Sequence, residues 1–197
     1  KQLYDEMLAR IQQTDLTVPY RKGGWLYYSR TIEGKQYPIH CRKRTADAAE
    51  EVTLDLNQLA EGHAFLALGA YAVSDDGRWL AYSIDYTGFR EYTLFVRDLL
   101  TNELQSERIE KVSSVTWAAD SATIFYVLED AAKRPYRLQR HRLGAPVADD
   151  ALLYEERDEL FRLGVWRSRS RSFLFAASGS FTATEYRYLS AGEPAGT

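Results

Sequence analysis

The sequence has little of the chemistry that staples or tags a chain. Cys41 is the single cysteine, so no disulfide can form within the chain, and a reducing compartment, the cytoplasm, is the expectation. No apolar run approaches the ~20 residues that span a bilayer. The opening stretch KQLYDEMLARIQQ is charged throughout and has no signal-peptide hydrophobic core. No membrane partner is expected. The chain opens on Lys1, and its one methionine is Met7, so a piece of something longer is expected. Positive charge is not in excess: 25 Lys and Arg stand against 28 Asp and Glu, a net charge of −3. A phosphate backbone needs a basic surface, so no nucleic-acid partner is expected. The three histidines are scattered and have no partner at metal-ligand spacing. No metal and no cofactor are expected.

What is present is tyrosine, 14 in 197 residues. Tyrosine suits half-buried pleated surfaces and tilts the expectation toward β structure. The first fourteen residues form the one helical pattern, with Leu3, Tyr4, Met7, Leu8 and Ile11 at helical spacing. Pro19 lies beyond its end. So short a helix needs a partner for its apolar face. After Val18 the period falls to two. YTLFVRDL (92–99) and TIFYVLED (123–130) are rich in β-branched and aromatic residues and lie between turn formers such as SDDGR.

The segments repeat. SDDGRWLAYSID (74–85) and AADSATIFYVLE (118–129) align without a gap: Leu80 over Ile124, Ala81 over Phe125, Tyr82 over Tyr126. The match runs from Gly69–Leu99 onto Ser113–Leu143. Looser copies flank it. In the first, Trp25 lies over Trp79, Tyr28 over Tyr82 and Cys41 over Val96; in the last, Trp166 lies over Trp117 and Phe175 over Tyr126. The matched tyrosines 37, 92, 136 and 186 are 55, 44 and 50 residues apart. Four short strands in a unit of ~40–50 residues mark a β-propeller blade. A small sheet has two faces and buries both only by stacking on its neighbours, so each unit repeats the same apolar pattern.

The expected fold is all-β. It is a partial β-propeller of about four four-stranded antiparallel blades, residues 18–197, behind a helical segment, residues 1–17. The units are approximately 18–67, 68–112, 113–161 and 162–197. The last stops after its third strand, because SAGEPAGT offers no fourth. A fragment is expected, and open blade edges are expected to make it self-associate. A β-sandwich is the rival, but it does not require internal repetition.

The segment VPYRKGGWLYYSRTIEGKQYPIHCRKR (18–44) resembles the start of the propeller in the prolyl oligopeptidase family, oligopeptidase B branch. EEVTLDLNQLAEGHAFLALGAYAVSDDGRWLAYSIDYTGFREYTLFVRDL (50–99), VTWAADSATIFYV and DELFRLGVWRSRSRSFLF extend the similarity over nearly the whole chain. The resemblance implies a two-domain serine peptidase in which a seven-bladed propeller covers an α/β-hydrolase domain with a Ser-Asp-His triad. It implies short peptides as substrates, cleaved after Arg or Lys, and an N-terminal helix packed on the hydrolase domain. The expected partners are therefore that catalytic domain of the same parent chain and short basic peptides. The catalytic motif does not carry over. No Gly-x-Ser-x-Gly pentapeptide is present, and Gly179-Ser180, followed by Phe181 and Thr182, reads as a strand-to-strand loop. No catalytic residue is assigned, and the chain alone should be inactive.

Other residues get plain readings. His40, His63 and His141 read as surface or cross-strand groups, and Cys41 as a small buried hydrophobe. RSRSRS (167–172) falls where other units carry SDDGR, and reads as a solvated turn or one facing the absent domain. Glu50-Glu51 and Glu155-Glu156 read as solvent-facing acids. Strand neighbours point to opposite faces, so adjacency alone makes no glycosidase pair. Three functions compete: the gate of a serine oligopeptidase, a stand-alone propeller scaffold, and a carbohydrate-active propeller, whose convergent carboxylates the sequence does not place. The scaffold lacks the Gly-His and Trp-Asp signatures of the WD40 class.

Overall fold

The computed structural model describes residues 1–196. The chain divides into two compact units, Lys1–Ala64 and Phe65–Thr197.

The first unit opens with helix α1, Gln2–Leu8, which buries none of its residues. Its apolar face, Leu3, Tyr4, Met7 and Leu8, is exposed, and so is Ile11 beyond its end. The helix is shorter than its sequence pattern. An unpacked helix of two turns has little to hold it, and the residues behind it bond elsewhere. Thr31 donates to the Gln13 carbonyl at 2.7 Å, and Leu16 bridges to Arg30. Strands β1 (Tyr20–Lys22), β2 (Trp25–Arg30), β3 (Ile39–Lys43) and β4 (Glu51–Asp55) then form one antiparallel sheet in chain order. Tyr28, Ile39 and Cys41 make its small core. A one-turn helix, α2 (Leu56–Leu59), follows because Asp55 caps it, accepting from the Asn57 amide at 2.8 Å.

The second unit holds three sheets, each with neighbours in chain order. Sheet two is β5 (Ala67–Val73), β6 (Trp79–Asp85), β7 (Thr93–Asp98) and β8 (Leu104–Glu110). Sheet three is β9 (Val112–Trp117), β10 (Thr123–Glu129), β11 (Pro135–Arg142) and β12 (Ala151–Glu155). Sheet four has three strands, β13 (Arg162–Arg167), β14 (Phe173–Gly179) and β15 (Thr184–Ser190). The first strands β5, β9 and β13 lie side by side. The fold is thus mostly β, a set of antiparallel sheets of the expected propeller kind.

The turn between first and second strands is built alike in all three sheets. The amides of Ser74, Ala118 and Ser168 bond to the carbonyls of Trp79, Thr123 and Phe173, each at 2.8 Å. Three residues into each turn the backbone is left-handed, at Gly77 (φ 76°), Ser121 (φ 54°) and Arg171 (φ 63°). These bonds fix the correspondence between units. Ile124 corresponds to Leu80, as the sequence repeat has it. In sheet four, however, Leu174 takes the place of Ile124, Ala176 that of Tyr126, and Arg167 that of Trp117. The sequence match of Trp166 to Trp117 and Phe175 to Tyr126 is therefore one residue out of step. With a period of two, one step turns a side chain to the other face. Trp117 is 2 % exposed, with its indole N–H on the Ala72 carbonyl at 2.8 Å; Trp166 is 42 % exposed. Trp166 stacks with Phe175 at 6.2 Å and meets Tyr186 edge-on at 6.1 Å, on the face turned away from sheet three.

Candidate functional site

Polar groups gather at the seams between sheets and at the two ends of the second unit. His141 is completely buried, so of its two readings the surface one fails and the cross-strand one holds: Asp150, just before β12, faces it across the pair. Its Nδ1 lies 2.6 Å from an Asp150 oxygen, and its Nε2 lies 3.6 Å from Glu107 on β8. The Tyr126 hydroxyl donates to the other Asp150 oxygen at 2.7 Å, and Glu107 accepts the Gly144 amide at 2.6 Å. Burial, then Asp150, push the Tyr126 hydroxyl well above its usual range. Two carboxylates thus flank one imidazole where sheet two meets sheet three, and the tyrosine holds one of them. The arrangement has no nucleophile between base and acid, and it acts as a clamp. No local pattern signalled it, because Glu107 sits on the neighbouring sheet and Asp150 in the turn before β12.

Glu156 is also buried, which corrects its reading as a solvent-facing acid. It accepts from the Ser178 hydroxyl, the Tyr154 hydroxyl (2.9 Å) and the Asp158 amide (2.9 Å). The Ser178 bond comes first among the causes that hold its carboxyl below the usual range. Ser178 lies on β14, so this group ties sheet three to sheet four. Beside it Arg134 reaches the carbonyls of Glu156, Asp158 and Phe161 at 3.2–3.3 Å. The other acids are paired too: Glu155 with Arg137 at 2.8 Å and Glu50 with Arg30 at 2.9 Å, all partly exposed, and Glu51, half exposed, with the buried Arg42 at 2.9 Å. Glu50 also accepts from the Tyr28 hydroxyl at 2.6 Å. Its hydrogen bonds with Arg30 are the largest cause of its lowered pKa.

The basic turn is only partly solvated. Arg167 pairs with Asp75 at 2.9 Å, and Arg171 pairs with the same carboxylate. Asp75 belongs to the first turn of sheet two, so this fork joins sheets two and four past sheet three. The Asp76 amide, in the same turn, donates to the Ser121 hydroxyl at 3.1 Å. Arg169 stays exposed. The turn end of the second unit is thus laced together by its own groups.

The opposite end differs. It carries the loops between second and third strands and the crossovers between sheets. Lys133 donates to the Phe89 carbonyl there, and Asp85, buried, accepts the amides of Thr87 and Arg90 at 2.7 Å. Yet three apolar residues project from this end: Phe89 is 71 % exposed, Leu160 78 % and Phe181 104 %. Ser180, beside Phe181, spends its hydroxyl on the amides of Thr182 (3.3 Å) and Ala183 (3.1 Å). It is a loop cap, as its sequence context implied. In the first unit His40 is half-buried on β3, its pKa lowered by burial, and His63 is exposed in the turn after α2. Cys41 is buried, as expected; burial, then Glu50, push its thiol up to about 11. Among the described residues no group of three His, Cys, Asp or Glu is placed to hold a metal ion.

Known proteins share this architecture. The family model for the prolyl oligopeptidase N-terminal β-propeller domain matches residues 1–197. Dipeptidyl aminopeptidase BI of Pseudoxanthomonas mexicana is 39% identical over 98% of the chain, and Protease 2 of Moraxella lacunata 38% identical over 98%. The chain spans 29% of the length of each. Among solved structures, oligopeptidase B from Leishmania major superposes with a TM-score of 0.92 at 29% identity. That match covers 96% of this chain and 28% of that one. Oligopeptidase B from Trypanosoma brucei, in its closed form with covalently bound antipain, gives a TM-score of 0.88 at 33% identity, covering 96% of this chain and 27% of that one.

Proposed function

Because the chain belongs to the prolyl oligopeptidase family, as part of its N-terminal β-propeller domain, we propose that it is the gate of a serine oligopeptidase. In this reading the chemistry lies in an α/β-hydrolase domain of the same parent. The substrates are short peptides cleaved after Arg or Lys, and the propeller keeps folded proteins from the nucleophile. The parent would act by acyl transfer, with serine as nucleophile and histidine as base. This chain contributes exclusion and docking, not a reacting group. The one cysteine, a buried free thiol, suits a reducing cytoplasm.

One observation carries the reading furthest: the two ends of the second unit are unlike. The turn end pairs its charged groups through Asp75, Arg167 and Arg171 and leaves Leu100 of the β7–β8 turn exposed. The loop end leaves Phe89, Leu160 and Phe181 in water. Single exposed apolar side chains are common, but three together at one end suit a protein surface. The first unit repeats the asymmetry on its own: the residues behind α1, with its exposed apolar face, are bonded to the start of its β2–β3 loop. We place the catalytic domain against the loop end.

A chimaera tests this. This chain replaces the matching part of Protease 2 of Moraxella lacunata, and hydrolysis of an arginyl dipeptide anilide is compared with that of folded casein-sized proteins. Short substrates should be cut, folded ones spared, and the isolated chain should cut neither. Phe89→Asp with Phe181→Asp should loosen the docking and cut short-peptide turnover about tenfold, as expected for losing buried apolar anchors. Hydrolysis by the isolated chain, or a double variant with unchanged turnover, ends this reading.

A further inference from the structure

Two of the apolar residues at the loop end, Phe89 and Leu160, are tied to one short loop, residues 130–134 between β10 and β11. The loop is closed on Asp130. Its carboxylate accepts the amides of Ala132 and Arg134 at 2.8 and 2.9 Å and the Arg134 Nε at 3.1 Å. Its own amide donates to the Arg134 carbonyl at 2.9 Å. Lys133 takes a left-handed backbone, φ 60°, and the two adjacent cations reach different neighbours. Lys133 donates to the Phe89 carbonyl and lies 3.9 Å from Glu91, both in the loop between β6 and β7. Arg134 sends its Nη1 to the carbonyls of Glu156, Asp158 and Phe161 at 3.2–3.3 Å, in the crossover that carries Leu160. Within that crossover the Leu160 amide donates to the Asp158 carboxylate at 2.9 Å, and the Phe161 amide to the Asp158 carbonyl at 3.0 Å. Asp158, which Arg134 holds, therefore fixes the backbone on both sides of Leu160. Hydrogen bonds from a cation are roughly twice as strong as neutral ones.

We propose that Lys133 and Arg134 are the positioning residues of the docking surface: Lys133 sets Phe89 and Arg134 sets Leu160 for an apolar face of the catalytic domain. The inference rests on the reading that the loop end meets that domain. The pairing of each cation with its own loop stands on the hydrogen bonds alone. An anchor on a loose loop must be ordered when it docks, and that ordering costs affinity. Two loops held beforehand by one closed loop avoid the cost, and their anchors keep one separation. Neither cation touches a reacting group, so each acts through the apolar residue it places.

The test reads amide exchange in the 197-residue chain and turnover in the Protease 2 chimaera. In the chain, Arg134→Met should speed exchange at Leu160 and Phe161 about tenfold and leave Phe89 and Arg90 as they were; Lys133→Met should do the reverse. In the chimaera, Leu160→Asp should cut kcat/KM for the arginyl dipeptide anilide about tenfold. In the Arg134→Met background the same change should cost about twofold or less, and in the Lys133→Met background it should keep its full cost. Phe89→Asp should show the mirror pattern. A general loss of stability would weaken both loops alike, so the crossed pattern separates positioning from mere support. If Arg134→Met fails to fold, the Lys133→Met and Phe89→Asp pair still decides. Additive losses in every combination, or exchange that rises in both loops with either variant, overturns the positioning role. Unchanged turnover with both Phe89→Asp and Leu160→Asp, while the crossed exchange pattern holds, overturns instead the docking reading beneath it.

Discussion

The seam between sheets two and three and the seam between sheets three and four are built from the same repeat and solved differently. The first is full. Trp117, Ile124 and Tyr126 pack on Ala81, Leu94, Val96 and Ile109, and at its edge His141 sits between Glu107 and Asp150. The second is apolar at its centre, with Phe125, Val127 and Leu138 against Leu163, Val165, Leu174 and Ala176, and it keeps a hole. Leu189 and Ala176 stand where the first seam has His141 and Tyr126. A small sheet can therefore be held by a buried hydrogen-bonded clamp or by plain burial. Only the clamp demands that every member be present, because a buried polar group without its partner is costly.

The sharpest way to break the comparison is to make the first seam resemble the second. His141→Leu removes the imidazole from buried Asp150 and Glu107, leaving them the Tyr126 hydroxyl and the Gly144 amide, and should cost about 3 kcal/mol by urea unfolding. Adding Glu107→Leu and Asp150→Asn should recover much of that loss. A fully tolerated single variant would mean that the clamp holds nothing.

A matched pair of cavity tests comes next. Ala81→Leu enters a filled seam and should destabilise by about 1–3 kcal/mol. Ala176→Leu enters the hole and should be neutral or stabilising by up to about 1 kcal/mol. Equal melting shifts for the two would show that the seams do not differ in packing.

The fork across the turn end gives a smaller effect. Arg171 holds a left-handed backbone that costs a non-glycine residue roughly 1–2 kcal/mol. Arg171→Ala loses the Asp75 pair and keeps that cost, whereas Arg171→Gly loses the pair and sheds it. The glycine variant should melt higher than the alanine variant, by about 1 kcal/mol.

The smallest effect is acid sensitivity. Glu156 has its carboxyl lowered in the fold, chiefly by Ser178. Its contribution is complete above the unfolded value of about 4.3 and is lost as pH falls through the lower folded value. Glu156→Gln should flatten the stability curve below pH ~4 and change its slope little between pH 6 and 8. An unchanged acid limb would remove Glu156 from the seam's energetics.

Much of the architecture was legible because turns and periods are local. SDDGR and AADSA announce the same turn twice, and the apolar run WLAYSID behind the first of them is strand β6, Trp79–Asp85. Sheet four was misread by one residue because tryptophan over tryptophan looks like a match, and a period of two carries no mark of which face is which. Glu156 was misread, and the burial of His141 missed, because Ser178 and Glu107 come from other sheets. Helix α1 was overlong on paper because periodicity reports an apolar face, not whether anything covers it.

Composition, spacing and repeat were enough to define the kind of object: short strands, polar turns, and faces that need neighbours. They did so because each is settled within a few residues of chain. Only the folded sheets decided which tryptophan is buried, which acid becomes a clamp, and which seam stays open. Those outcomes depend on side chains far apart in sequence arriving on the same face, and no stretch of the chain contains that information by itself.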